Sequence, residues 1–502
     1  MIQAGVVEIV ASGDRLNPGI TAVRRGTEPT GGNQLSGNAR LAGPTSHHRE
    51  RTTMNRLPAR RVSRVLFLTS LAAFSVCSFA ILPVSHAADP VGDGIADDTT
   101  AIQQWIDDEQ DVNLPAGTYR ITRPLRVDLK STGSIAFKGM GRVRIVMAGP
   151  GPAIQVVGTH AGTADPKTVT GEVWDRQNAL IVSDLEIVGE HLDADGVELS
   201  GTMQPTLHNL TIRKSRHAIH LVDRNRNVIV SDCHLYENSG AGLFLDAVNL
   251  HQINVTGSHI SYNAEGGIVS RDGNVRNLHI TGCDIEGNMG TADSASSANV
   301  WLVSGSGSIG EVAITGCTIQ HTHQGKDSAN IRIDLHSEPV KGTEERRHGN
   351  VTISGNILSD AQVNIHLRHL RSATVTGNTL WQGFHSNIVM EHCEAVTLAS
   401  NAMDRNPRYH LGRNSVAKHG VQLIDCRDCV LSANVIRGVS ERPAVLEMTR
   451  CHGILVHGGL FSDDTVPAIL AVECSDCLIQ NNITRGGESP IVLRECKGMR
   501  TD

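Results

Sequence analysis

Aromatic side chains are scarce in this chain: Phe, Tyr and Trp make up 3% of 502 residues, against 39% hydrophobic residues overall. Rings fill wide interiors, so the shortage excludes a broad aromatic core and points to a narrow aliphatic one. Blocks of Lys or Arg are also missing, and the formal net charge is -7. Phosphate backbones need a concentrated basic face, which excludes nucleic acid as the main partner. The 50 glycines follow no three-residue period, which excludes collagen and implies many turns.

The N-terminus reads as a processed region. Residues 54–87 carry an arginine-rich start, an uncharged run from Val65 to Val84 and the small-residue site Ser85-His86-Ala87, the pattern of an export signal peptide. The alternative is an uncleaved anchor, since the run is long enough to span a bilayer. Residues 1–53 are polar and precede this signal, so they are expected to be a disordered extension or to lie before the true start at Met54. The mature protein is expected to be secreted or periplasmic, with no membrane contact once the signal is cleaved.

What the chain has in abundance is repetition. "TISGNIL" at 352–358 returns as "TVTGNTL" at 374–380. The column anchored on that Asn runs through Cys233, Ser258, Cys283, Cys317, Asn356, Asn378, Asn401, Asn434, Gly459 and Asn482. Its steps after Ser258 are 25, 34, 39, 22, 23, 33, 25 and 23 residues. Cys393, Cys426, Cys451 and Cys474 each lie eight residues before a member of it, and Cys496 continues that second column. Both columns show the same 33-residue step, so the register is shared and the extra residues form a loop.

Each unit holds three short β-rich runs, such as Asn364 to Arg368, Thr374 to Thr376 and Thr379-Leu380. Three runs in so few residues exclude paired-helix repeats and fit one coil of a parallel β-helix, each strand bonding to its counterpart roughly 4.8 Å away. The Gly-Asn pair is expected at a sharp corner, with Asn in the left-handed conformation and its side chains stacked into a ladder. The expected fold is all-β, a right-handed single-stranded parallel β-helix. Residues 88–178 would form an N-terminal cap and first coils, and 179–498 the repeat region. In the cap, Asp97 or Asp98 starts a helix running to about Asp108, with Ile102, Trp105 and Ile106 facing the core.

The stretch Gly92-Asp93-Gly94, Asp97-Asp98-Thr99 and Ala101-Ile102, followed by Leu114-Pro115-Ala116-Gly117-Thr118-Tyr119, resembles the cap of the pectate lyase superfamily. With the coils behind it the resemblance covers about residues 89–498. It implies the β-helix and an extended polysaccharide partner, but leaves the chemistry open among lyases, hydrolases, epimerases and non-catalytic proteins. The Asn-Thr-Asp, paired Asp, Gly-His-Gly and Arg-Ile-Lys set of polygalacturonases is absent, as is the Asp-Pro-His of alginate epimerases. No cofactor is fixed by the resemblance, and calcium is left open, as is the oligomeric state.

On a stack of coils, outward side chains of one strand form straight columns. The first strand of successive coils presents Phe244 and Asp246, then Arg271, Trp301, Arg332 and Asp334, His366 and Arg368, and Glu391. These coils are flanked by insertions near 289–298, 321–328, 337–349 and 404–419, and loops beside a rigid face make a cleft. Arg332, Asp334, His366 and Arg368 are therefore the candidate catalytic residues, with Asp246, Arg271, Trp301 and Glu391 as candidate substrate contacts. The competing reading is a set of solvated cross-strand ion pairs. Elimination on a uronate polymer would use Arg332 and Arg368 to neutralise the carboxylate and His366, or an arginine, as base. Hydrolysis would use Asp334 and Glu391, two coils apart at roughly 10 Å. A non-catalytic glycan-binding or surface protein is the third possibility.

No metal site is expected. Cys426-Arg-Asp-Cys429 and Cys474-Ser-Asp-Cys477 imitate metal-ligand pairs, but two coils separate them, and their column favours buried thiols over disulfides. His321 and His323 with Asp327 offer ligands on an insertion, and a polar loop is the alternative reading.

Overall fold

Strands in this protein are short and alternate in character. Ala329–Asp334, for example, reads ANIRID, with Asn330, Ile331 and Ile333 buried and Arg332 and Asp334 half-buried. Period-two alternation on a pleated strand sends one set of side chains to each face. The computed structural model describes residues 89–108, 111–290, 294–409, 411–486 and 490–501. The extension at 1–53 and the signal at 54–87 lie outside the described residues. No helix among the described residues is long and apolar enough to cross a membrane.

The strands stack as a right-handed parallel β-helix, the fold the cap motif implied. Two ladders run its length among the described residues. One is a single sheet of 14 parallel strands, from Leu125–Asp128 to Ile491–Arg494. The other, of 27 strands, carries the two remaining strands of each coil, every strand pairing with its counterpart in the next coil. The core between them is aliphatic and narrow. Leu, Ile and Val from every coil form one continuous buried cluster, with few rings.

At the start of the stack, helix Thr99–Asp108 buries Ile102 and Ile106 completely and sets Trp105 against the same cluster. Both carboxylates proposed to start it are used. Asp97 Oδ1 accepts from Thr99 N at 3.0 Å, and Asp98 turns back to accept from Val91 N and Gly92 N at 2.6 and 3.2 Å.

The corners correct one expectation. At Gly355-Asn356 and Gly377-Asn378 the left-handed residue is glycine, with φ of 66° at both, and the Asn is not among the positive-φ residues. Asn instead points inward. Asn356 and Asn378 are 1% exposed, and each donates Nδ2 to a strand carbonyl of the preceding coil and to the next Asn Oδ1. Each backbone N–H also donates to that next Oδ1, at 3.0 Å. Such a ladder satisfies the polar backbone of a buried turn coil by coil. A second ladder, Asn263, Asn288, Asn299, Asn330, Asn364 and Asn387, secures the entry to the 14-stranded sheet with links of 2.7–2.9 Å.

Candidate functional site

The register of the 14-stranded sheet defines two outward columns. One passes through Glu198, His220, Phe244, Val269, Trp301, Arg332, His366, Val389 and Gln422. The other passes through Asp246, Arg271, Val303, Asp334, Arg368, Glu391 and Ile424. All four predicted catalytic residues therefore lie on one face of two adjacent coils.

Charges in these columns meet. Arg368 sits between two carboxylates, with Nη1 3.4 Å from Asp334 Oδ2 and Nε 3.2 Å from Glu391 Oε2. His366 Nε2 lies 2.8 Å from Glu391 Oε1, and His369 Nδ1 lies 2.8 Å from Asp334 Oδ1. Burial pushes the His366 imidazole below its ordinary range, with Arg332 and Arg368 acting in the same direction and Glu391 opposing them. A neutral imidazole beside a carboxylate donates through Nε2, so Nδ1 carries the basic lone pair.

Further along, Trp301 is flanked by two guanidiniums, Arg271 from the preceding coil and Arg332 from the following one, each 5.6 Å from the ring centroid. Arg271 is also 5.8 Å from the Phe244 ring, so cations and rings alternate along the face. Arg332 is partly buried and donates to Asp327 O of the 321–328 insertion. Phe244, read as an outward surface residue, is only 8% exposed, since the rings of His217 and His220 cover it at 4.7 and 5.3 Å. Asp246 Oδ2 lies 3.3 Å from His220 Nε2.

The insertions flank the sheet on both edges. His323 of the 321–328 segment accepts from Gln362 Nε2 through its backbone carbonyl and stacks on Phe384 at 4.9 Å. His321 turns instead towards Glu286 and Asp360, so the two histidines do not converge with Asp327 as ligands. On the opposite edge, Glu345 and Arg347 of the 337–349 segment pair with each other and with Arg371 and Glu394. A cleft of about 460 Å³ opens there, lined by His336, Glu345, Arg347, His369, His392 and Asp425. None of the four predicted catalytic residues lines it. His369, through its contact with Asp334, connects the two.

A second cluster on the same sheet escaped the sequence reading. Asp195 is 1% exposed, takes both Arg216 Nε and Nη2 at 3.0 and 2.6 Å, and accepts from His217 N at 2.9 Å. Burial opposes its ionisation, but His220, Arg216 and the His217 N–H outweigh it and hold the carboxyl well below the usual range. Burial pushes the His217 imidazole down to about 4. Its signal in the sequence is the same outward column, which continues back from Phe244 to His220 and Glu198.

The ten described cysteines are all unpaired, nine of them buried. Cys451 and Cys474 are consecutive in one column, Cys451 N donating to Cys474 Sγ at 3.4 Å. Cys477 accepts from Ile454 N in another, so the two cysteines of each Cys-x-x-Cys pair are rungs of separate ladders.

Comparisons with known proteins agree with this architecture. A family profile described as a right-handed beta helix region matches residues 169–319, and one described as periplasmic copper-binding protein (NosD) matches residues 303–483. No match is found among curated proteins. Among solved structures, the mannuronan C-5 epimerase A-module of Azotobacter vinelandii is 13% identical with a TM-score of 0.37, covering 80% of this chain and 95% of its own. The hexasaccharide-bound tailspike of E. coli bacteriophage HK620 is 11% identical at 0.48, covering 84% and 78%. The surface adhesin PfbA of Streptococcus pneumoniae is 16% identical at 0.45, covering 76% and 90%. Such likeness concerns the fold alone. The coils described above, together with the profile matching residues 169–319, make the chain a right-handed β-helix. Copper needs converging imidazole, thiolate or thioether ligands. Among the described residues of 303–483 no three His, Cys, Asp or Glu side chains bring ligand atoms within 4.8 Å of one another.

Proposed function

We propose that the protein is exported and carbohydrate-active, takes an extended uronate-containing polysaccharide along the exposed face of the 14-stranded sheet, and cleaves it by β-elimination. The observation that carries this reading is the His366–Glu391 pair at 2.8 Å, set on the same face as Arg332 and Arg368. Glu391 fixes the tautomer, leaving His366 Nδ1 as the basic nitrogen. It is buried without a hydrogen-bond partner in the free protein, so it takes the proton from the carbon next to the substrate carboxylate once the side chains covering it move aside on binding. A guanidinium neutralising that carboxylate stabilises the charge that develops, the electron pair forms the carbon–carbon double bond, and the glycosidic C–O bond breaks, its oxygen leaving with the bonding pair and taking a proton from solvent. Hydrolysis by Asp334 and Glu391 fits less well, because the Arg368 guanidinium fills the space between them that an attacking water would need.

A non-catalytic glycan-binding face is the second reading. It is favoured by the internal engagement of both arginines, Arg332 with Trp301 and Arg368 with two carboxylates.

The test is incubation with pectin, alginate and glycosaminoglycans, with and without calcium, following unsaturated-uronate absorbance and reducing ends together. Absorbance that rises for one polymer and is lost in His366→Ala and Arg368→Ala is expected. Reducing ends without absorbance would mean hydrolysis. Binding without either signal would establish the second reading.

A further inference from the structure

Several coils back along the same outward column, the cluster around His220 is built differently. Asp195 and Glu198 lie on strand Ala194–Ser200, and His220 lies one coil on, in register with Glu198. His220 Nδ1 points between the two carboxylates, 3.6 Å from Asp195 Oδ2 and 3.6 Å from Glu198 Oε2. That separation is too long for a hydrogen bond, and Nδ1 has no hydrogen-bond partner although the residue is only 9% exposed. A buried polar nitrogen left in this way needs an explanation.

The three ligand atoms lie within 4.8 Å of one another. Around a zinc-type ion with bonds of about 2.0–2.1 Å, neighbouring ligands of a tetrahedron are about 3.3–3.5 Å apart, close to what His220 shows. The surroundings fit the same purpose. Asp246 Oδ2 lies 3.3 Å from His220 Nε2, the outer carboxylate that orients a metal-bound imidazole and fixes its tautomer. Gln155 Nε2 holds Glu198 Oε1 at 2.9 Å, which leaves Oε2 turned to the centre. Charge agrees too, since three carboxylates, Asp195, Glu198 and Asp246, face one guanidinium, Arg216, and one imidazole, His220, and stay in excess even with the imidazole protonated.

We infer that Asp195, Glu198 and His220 form a binding site for a divalent cation of the zinc type, each supplying one ligand atom. Three protein ligands leave one position of a tetrahedron open to water or a substrate oxygen.

The full chain, stripped with a chelator and dialysed against dilute zinc, should retain one zinc per molecule by elemental mass spectrometry. Glu198→Gln should weaken zinc affinity at least about tenfold while still accepting the Gln155 contact, and His220→Asn should do the same. Cobalt in place of zinc should give the visible bands of a tetrahedral nitrogen and oxygen site, lost in both variants. If His220→Asn does not fold, Glu198→Gln decides, because its side chain keeps the same shape. The inference is overturned if no zinc is retained, if both variants bind as the parent does, or if cobalt shows thiolate charge-transfer bands. Loss of binding in His259→Ala would also overturn it, by placing the ion at the second convergent group, His259, Asp284 and Glu286.

Discussion

Arg368 holds two carboxylates from neighbouring coils, which asks for a planar fork with donors on more than one edge. Lysine presents one compact ammonium and cannot reach both. Arg368→Lys is therefore expected to lose nearly as much turnover as Arg368→Ala. At 40% side-chain exposure the ion pairs are solvent-screened, so either change should cost at most about 1 kcal/mol in denaturant unfolding. His160 behaves oppositely. It is 2% exposed, and burial together with Arg224 and Arg226 pushes its imidazole down to about 4. Between that value and the unfolded value near 6.5 the unfolded chain binds the extra proton, so the stability His160 contributes is present above pH 6.5 and lost as pH falls towards 4. His160→Leu should flatten this acid limb, by on the order of 2–3 kcal/mol at pH 4, in urea unfolding measured across the window. At this scale the sequence was legible wherever period two could be followed. Arg332, Asp334, His366, Arg368 and Glu391 share a face as their spacing implied. Whether an outward side chain is also exposed was not legible, because that depends on neighbours such as the histidines covering Phe244.

At the scale of one coil, the turn that repeats as Gly-Asn divides its work between two residues. Glycine supplies the left-handed backbone, and Asn supplies the hydrogen bonds that close the corner. The cost of losing each should differ. A Cβ at Gly377 would meet nothing within 4 Å, so Gly377→Ala carries only the conformational penalty, about 1–2 kcal/mol. Asn378→Ala removes the bonds to Ile353 O and Asn401 Oδ1 and strips Asn356 N and Nδ2 of their acceptor. With several buried groups left unpaired, the loss should be about 2–4 kcal/mol. Calorimetry of the two variants checks the order, and a larger loss for Gly377→Ala would show that the corner is held by its backbone. The repeat implies the ladder, but the left-handed conformation belongs to the glycine of the pair and not to the Asn. Sequence marks the corner, whereas the direction of the Asn side chain follows from carbonyls in the coil beneath.

At the scale of the whole molecule, each coil rests on the next and the core is one continuous aliphatic column. Such a stack contacts only its neighbours, so its stability is close to a sum over coils and their interfaces. The cysteines report on this column from within. Cys233 and Cys429 are 1% and 0% exposed, and burial pushes both thiols up to about 11. Alkylation requires both access and a thiolate, so a buried thiol reacts only when its coil opens. Cys496 alone among the ten described thiols is half-buried rather than buried. Native protein treated with iodoacetamide should therefore label first at Cys496, as read by peptide mass spectrometry. The other nine should follow only at denaturant concentrations that unfold the stack. Reductant should leave the melting temperature unchanged, since no described cysteine is paired. Early labelling of Cys426 or Cys451 would mean that the central coils open independently of the rest, and that the stack unfolds in segments.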